Sequence, residues 1–236
     1  KMEVNGQMSN KDDGNLDSNV FYLRHGHPVI SGVDLGQNTR TIGGYDIFIY
    51  GSNFGSSKNN IMVYVGGRIA KIQTVTHSMI AILAAAGQGR GQKIYVKVLR
   101  EKTNVAAKTF DYSAPRMYFL SRNLMFFPTS GLTSEGKSVV ATLHGDNFGI
   151  GTDITIYFGP IDKNIFVQIM NVDHVQINVT IPPGEGLNLT ISINVSGQVG
   201  VSDKIFINYD KPIIHSIVSA EAQGDFDEFS IFPTSG

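Results

Sequence analysis

The sequence contains no cysteine and no tryptophan. The first absence excludes disulfides, thiolate-ligated zinc and thiol catalysis. It leaves the compartment open: secreted domains commonly carry disulfides, yet a domain of about 90 residues buries enough core to stand without them. The second absence removes the side chain that sugar-binding platforms usually want. Charge is also sparse, at 17% of residues with a formal net charge of −1, so nothing pulls the whole chain toward nucleic acid. No apolar run approaches the roughly eighteen residues of a membrane helix. No basic-then-apolar leader opens the chain, which starts in what reads as mid-domain, so such signals are expected outside this segment. The P-loop, the dinucleotide fingerprint and the nucleophile elbow are missing as well. What remains is 236 residues with 42% apolar content, the composition of one or two globular domains.

The chain repeats itself, which is the first property to establish. IFIYGSNFG (47–55) recurs as ATLHGDNFG (141–149), and IMVYVGG (61–67) as ITIYFGP (154–160). ILAAAGQGRGQKIYVKVL (82–99) recurs as VTIPPGEGLNLTISINV (179–195), offset by one residue in its first half. KTFDYSAP (108–115) and KIFINYDKP (204–212) close the two units. NVFYLRHGHP (19–28) reads as the closing strand of an earlier unit and KMEVNGQ (1–7) as the strand before it. FFPTSG (126–131) returns as IFPTSG (231–236). The expected organisation is the end of one repeat (1–27), two complete repeats (28–113 and 114–210) and the start of another (211–236). A period of about 90–100 residues is the size of a β-sandwich.

Local pattern agrees with an all-β fold. Leu189, Ile191, Ile193 and Val195 alternate with Asn188, Thr190, Ser192 and Asn194, and Ile94, Val96 and Val98 do the same in the first unit. Period-two alternation marks strands with one buried face. Pro28, Pro115 and Pro212 each follow a closing strand. Proline fixes its own φ and keeps its predecessor extended, so the joints are expected to be semi-rigid.

GSNFG (51–55), GDNFG (145–149) and IPPGEG (181–186) resemble the IPT/TIG family, whose units carry a G-x-N-F-G turn after an early strand and a P-P-G-x-G turn before a late one. The first unit departs at the second motif, reading AAAGQGRG (84–91) without prolines. The resemblance implies tandem immunoglobulin-like (E-set) β-sandwiches. Family arrays of this kind occur in cell-surface receptors such as plexins and in the tiger-type adhesion proteins of social amoebae. A long, Asn-rich, cysteine-free array is most similar to the latter. In the residues themselves, Gly51 and Gly55 are expected to adopt positive φ, Asn53 and Asn147 to bond nearby backbone, and Phe54 and Phe148 to plug a sandwich end.

Three N-x-S/T sequons lie at Asn178, Asn188 and Asn194. With Val175, Ile177, Val179 and Ile181 pointing inward Asn178 turns outward, and Asn188 and Asn194 oppose the inward set of their own strand, so all three asparagines are expected to be exposed, as N-linked glycan requires. Charge is uneven: residues 28–112 carry ten Lys/Arg against four Asp/Glu, a net +6, while 113–209 carry −2 and 210–236 carry −4. Strand alternation turns Lys93, Tyr95, Lys97 and Leu99 outward beside Met62 and Tyr64, a mixed aromatic and basic face of the kind found at protein interfaces. The matching face of the second unit (Thr155, Tyr157, Asn188, Thr190, Ser192, Asn194) reads as polar.

Catalytic, cofactor and metal sites are not indicated. His25 and His27 read as linker histidines, His144 as packing at a sandwich end, and His77, His174 and His215 as scattered. Asp12, Asp13 and Asp17 lack calcium-loop spacing and read as a solvated hairpin. The expected function is the non-enzymatic extracellular part of an adhesion or recognition receptor. Its expected partner is another cell-surface protein, heterophilic rather than like-on-like, with same-cell oligomers possible in principle and membrane attachment only through an anchor elsewhere. The competing readings are a stalk without a binding site, a Rel-like DNA-binding segment, and an accessory module of a carbohydrate-acting enzyme.

Overall fold

The computed structural model describes residues 3–4, 7–8, 26–36, 39–121, 124–159, 165–214 and 216. His25, His215, Asp12, Asp13, Asp17 and most of the 19–28 closing segment lie outside the described residues. Where one strand was expected over 1–7, two short ones, β1 (Glu3–Val4) and β2 (Gln7–Met8), pair antiparallel.

The first sandwich comprises β3 (Val29–Asp34), β4 (Asp46–Ser52), β5 (Ile61–Val65), β6 (Arg68–Val75), β7 (Met79–Leu83), β8 (Ile94–Val98) and β9 (Glu101–Lys102). The strand order is β3-β4-β7-β6-β5-β8-β9, all antiparallel. β6 serves both layers: Arg68–Ala70 pair with β5, and Lys71–Val75 pair with β7. Inward residues of the two layers, Ile47, Ile49, Ile80 and Ile82 against Val63, Val65, Ile94 and Val96, form one buried cluster.

The second sandwich repeats this with β10 (Arg116–Ser121), β11 (Val140–Asp146), β12 (Ile154–Phe158), β13 (Ile165–Phe166), β14 (Gln168–Val172), β15 (Gln176–Thr180), β16 (Leu189–Val195) and β17 (Gln198–Ile207). Its layers are β10-β11-β15-β14 and β13-β12-β16-β17. The strand corresponding to β6 is broken here at buried Val167, whose N–H donates to the Ile156 carbonyl at 3.1 Å. Among the described residues, β3–β17 form two immunoglobulin-like sandwiches in tandem, each around its own core.

The G-x-N-F-G turn has the same geometry in both. Asn53 (φ 63°) and Asn147 (φ 62°) take the left-handed conformation that asparagine tolerates best among side-chain-bearing residues. Asn53 Nδ2 donates to the His27 carbonyl at 2.9 Å, and Asn147 Nδ2 to that of Ala114 at 3.2 Å. Each asparagine therefore ties its turn to the residue before the joint proline. Phe54 and Phe148 are fully buried. The expectation for Gly51 is corrected: it is absent from the positive-φ positions, whereas Gly55 has φ 80°. Gly51 is needed for close approach instead, since a Cβ there would stand 2.0 Å from the Val29 carbonyl oxygen and 2.5 Å from the Phe54 ring.

The second motif also survives the loss of its prolines. A Cβ on Gly87 or Gly184 would strike the ring of Tyr112 or Tyr209, at 2.5 Å and 2.6 Å. The tyrosine hydroxyls donate to the carbonyls of Ala85 (2.8 Å) and Pro182 (2.9 Å). Burial raises the pKa of both phenols, that of Tyr209 to about 12. The first unit thus reaches with glycine and tyrosine alone the arrangement that the second has beside its prolines.

Candidate functional site

The outward face of the first sandwich's β6-β5-β8-β9 layer is built by strict cross-strand pairing. Met62 opposes Lys97, and Tyr64 opposes Tyr95. The two tyrosine rings stack with centroids 4.7 Å apart and planes 9° from parallel. Lys97 Nζ lies 5.4 Å from the Tyr64 centroid, and Lys102 Nζ lies 4.1 Å from that of Tyr95. Ammonium groups at such distances are held by the ring quadrupole. The Tyr64 hydroxyl donates to Met62 Sδ at 3.4 Å. Met62 (51% exposed), Ile69 (63%) and Leu99 (67%) surround the stack with uncovered apolar surface. Among the described residues, the ion pairs are His27–Glu101 and Lys137–Glu135, so none engages Lys93, Lys97 or Lys102.

Of the six residues singled out from the sequence, Met62, Tyr64, Tyr95 and Lys97 form the centre of this face. Lys93 precedes β8, and Leu99 (φ 55°) occupies the turn after it, so both flank the face. Sequence reading missed Ile69 and Lys102. Ile69 was within reach: Gly66 and Gly67 both have positive φ, a two-residue hairpin turn that sets Ile69 opposite Tyr64. Lys102 follows a Leu99–Arg100 turn that carries no such signal.

The joint between the sandwiches is a second constellation. Gln88 Nε2 donates to Ser196 Oγ at 2.7 Å and to the Thr152 carbonyl, while its Oε1 accepts from the Ile150 N–H at 2.8 Å. Thr41, buried, donates its N–H to Asn147 Oδ1 at 3.2 Å and places Oγ1 2.9 Å from His174 Nδ1. Gln198, also buried, donates to the Tyr112 carbonyl at 2.8 Å. A cleft of 170 Å3 lined by Arg68, Gln92, Tyr112 and Thr152 opens beside these contacts.

Residues 28–112 match the IPT/TIG domain family. No curated protein matches the chain. Among solved structures, the plexin A4 extracellular region is 16% identical, with TM-score 0.38, covering 87% of this chain and 21% of its own. The surface glycan-binding protein PbSGBP-B from Prevotella bryantii is 16% identical with TM-score 0.48, covering 76% of this chain and 42% of its own. SGBP-B from a xyloglucan utilization locus of Bacteroides uniformis is 16% identical with TM-score 0.32, covering 77% and 50%. The chain thus spans half or less of the length of each of these.

Outside the IPT/TIG match, several expectations for the second sandwich are corrected. Val175 is exposed rather than inward, because Asp173 Oδ1 accepts the N–H groups of Val175 and Gln176 and turns the chain just before β15. Of the sequons, only Asn188 is exposed. Asn178 is half-buried with Oδ1 accepting from Thr142 Oγ1 at 2.8 Å, and Asn194 is half-buried with Oδ1 capping the Gly197 N–H at 2.9 Å. The face that read as polar also carries exposed Phe166, Val199 and Val201, since β17 runs beside β16 with Val199 opposite Asn194 and Val201 opposite Ser192. His144 stands on the outer face of β11 rather than at a sandwich end, stacked on Phe119 with centroids 4.3 Å apart and Nε2 2.9 Å from Ser121 Oγ. His27 is exposed beside Glu101, with Nδ1 3.2 Å from Oε2. Among the described residues, no three His, Asp or Glu converge on one point, and no helix is long and apolar enough to cross a membrane.

The joint has a pH dependence with a definite sign. Desolvation lowers the His174 pKa from 6.5, outweighing the opposing pull of Asp173. The folded joint prefers neutral imidazole, so its contribution is complete above pH 6.5 and declines as pH falls through that value toward the lower folded pKa. Amide exchange at Thr41 is expected to quicken between pH 7.5 and pH 5 beyond the intrinsic trend, and His174→Gln to flatten that excess. An excess that persists in the variant would assign the titration elsewhere.

Proposed function

We propose that this chain is a non-enzymatic extracellular recognition segment of a cell-surface adhesion receptor, and that its first sandwich binds an acidic surface on a protein of another cell. The observation that carries the reading is the stacked Tyr64–Tyr95 pair with Lys97 and Lys102 against the rings, rimmed by exposed Met62, Ile69 and Leu99. Apolar side chains supply contact area, and ammonium groups with no carboxylate partner among the described residues supply steering toward negative charge. Each ring already stacks on the other and meets an ammonium group, so no open aromatic platform is left for a neutral sugar. The net +6 of residues 28–112 opposes pairing of this unit with itself and favours a heterophilic contact. The resemblance to tiger-type adhesion proteins of social amoebae supports the same reading, with the anchor outside this segment and N-linked glycan on Asn188, the exposed sequon.

The test is binding of the secreted chain to cells and to a panel of ectodomains. Lys97→Glu with Lys102→Glu is expected to weaken binding on the order of tenfold or more, with weaker salt dependence and an unchanged melting temperature. Full binding by that folded variant would sink the proposal. It would then favour the second reading, a spacer stalk, to which the hydrogen-bonded joint lends support.

A further inference from the structure

The two sandwiches place equivalent residues at their far ends, and among the described residues only one of those ends is covered. The Gly87 N–H donates to the Thr41 carbonyl and the Gly184 N–H to that of Thr129; the Tyr112 N–H donates to the Gly89 carbonyl and the Tyr209 N–H to that of Gly186. These bonds align Thr41 with Thr129, Gly89 with Gly186 and, between them, Gln88 with Glu185. The closing prolines, Pro115 and Pro212, extend the alignment. Thr41, Gly89 and Pro115 are buried under the second sandwich, whereas Thr129, Gly186, Pro212 and Glu185 are exposed. The far end of the second sandwich therefore matches the covered end of the first at these positions, carries Asp210 and Lys211 where the first has Ser113 and Ala114, and has one difference within the aligned glycine loops 87–89 and 184–186, glutamate for glutamine.

That difference is at the centre. Gln88 works as both donor and acceptor, giving Nε2 hydrogens to Ser196 and the Thr152 carbonyl and taking the Ile150 N–H. An ionised glutamate has acceptors only. Glu185 can take the place of Oε1, but where Gln88 donates it would set a carboxylate oxygen against a carbonyl. Desolvating that charge with a carbonyl oxygen set against it is unfavourable. The position is suited to an ammonium or guanidinium group, whose charge-assisted bond is the stronger kind.

We propose that this position selects which unit follows which: the end bearing Thr129 and Glu185 is a docking surface for a further sandwich unit that presents a lysine or arginine to Glu185, and it rejects a unit built like the second sandwich. The inference is independent of the binding face proposed above.

The experiment appends a second copy of residues 116–212, which carries a complete core, after Pro212. Exchange of the Thr129 amide and the alignment of the appended copy are read by NMR. With Glu185 the copy should tumble independently, and Thr129 should exchange about tenfold faster than Thr41. Glu185→Gln, or Ser196→Lys in the appended copy, should lock the joint and slow that exchange. In the unextended chain, Gln88→Glu should speed Thr41 exchange by about the same factor. Equal locking with Glu185 and with Glu185→Gln overturns the proposal. So does failure of both rescues, or a Gln88→Glu chain as protected at Thr41 as the native one.

Discussion

Phe148→Ala is expected to cost the second sandwich about 3–5 kcal/mol, a large part of the roughly 5–15 kcal/mol that holds a domain folded. The ring is fully buried, and it is delivered from a turn rather than a strand. Asn147 at φ 62° bends the chain back and bonds the Ala114 carbonyl, so the ring enters the core from the end that faces the first sandwich. Its neighbours Leu143, Ile177 and Val179 are fixed in paired strands and cannot collapse into the space left behind. The damage should spread through the joint, because Thr41 bonds Asn147, the residue beside Phe148. Urea unfolding followed by tyrosine and backbone signals should show an early transition for the second unit, with the first unit still cooperative but less stable. A single unshifted transition would mean that the ring, though buried, does not plug the sandwich end.

Much of this was legible beforehand because strands announce themselves by period. Ile191, Ile193 and Val195 point inward as their alternation requires, and so do Ile61, Val63 and Val65. Tyr64, Tyr95, Met62 and Lys97 followed from the same count. The failures arose where one residue answers to something other than its own strand. Val175 fits the inward alternation of Ile177 and Val179, but the Asp173 turn decides its direction. Val199 and Val201 lie on β17, whose register with Asn194 and Ser192 turns them out. The polar face read from β12 and β16 alone could not include them. The joint was the least legible feature. Gln88 and Thr41 are polar residues in loops, and their roles depend on which residues of a different unit, such as Ser196 and His174, arrive opposite them. The only sequence trace of that role is the repeat itself, which aligns Gln88 with Glu185 and shows the exchange of an amide for a carboxylate.

The two glycines of the G-x-N-F-G turn should respond very differently to the same added methyl group. Gly55 has φ 80° with open space where a Cβ would stand, so Gly55→Ala meets only the left-handed backbone penalty, about 1–2 kcal/mol. Gly51 is absent from the positive-φ positions but would place its methyl 2.0 Å from the Val29 carbonyl oxygen and 2.5 Å from the Phe54 ring. Neither neighbour can yield cheaply. The carbonyl belongs to β3, whose Val29 and Ile30 pair with Ser52 and Gly51, and moving it opens the edge of the sheet. Moving the ring instead forfeits the burial of Phe54, so the cost approaches that of deleting an aromatic plug, about 3–5 kcal/mol. Gly145 is built identically, 2.0 Å from the Arg116 carbonyl oxygen and 2.5 Å from Phe148, so Gly145→Ala should reproduce the effect in the second sandwich. Thermal and urea midpoints of the four variants Gly51→Ala, Gly55→Ala, Gly145→Ala and Phe54→Ala order the two causes. If Gly55→Ala proved the more damaging, the motif's first glycine would be there for the turn and not for the approach of the strand and the ring.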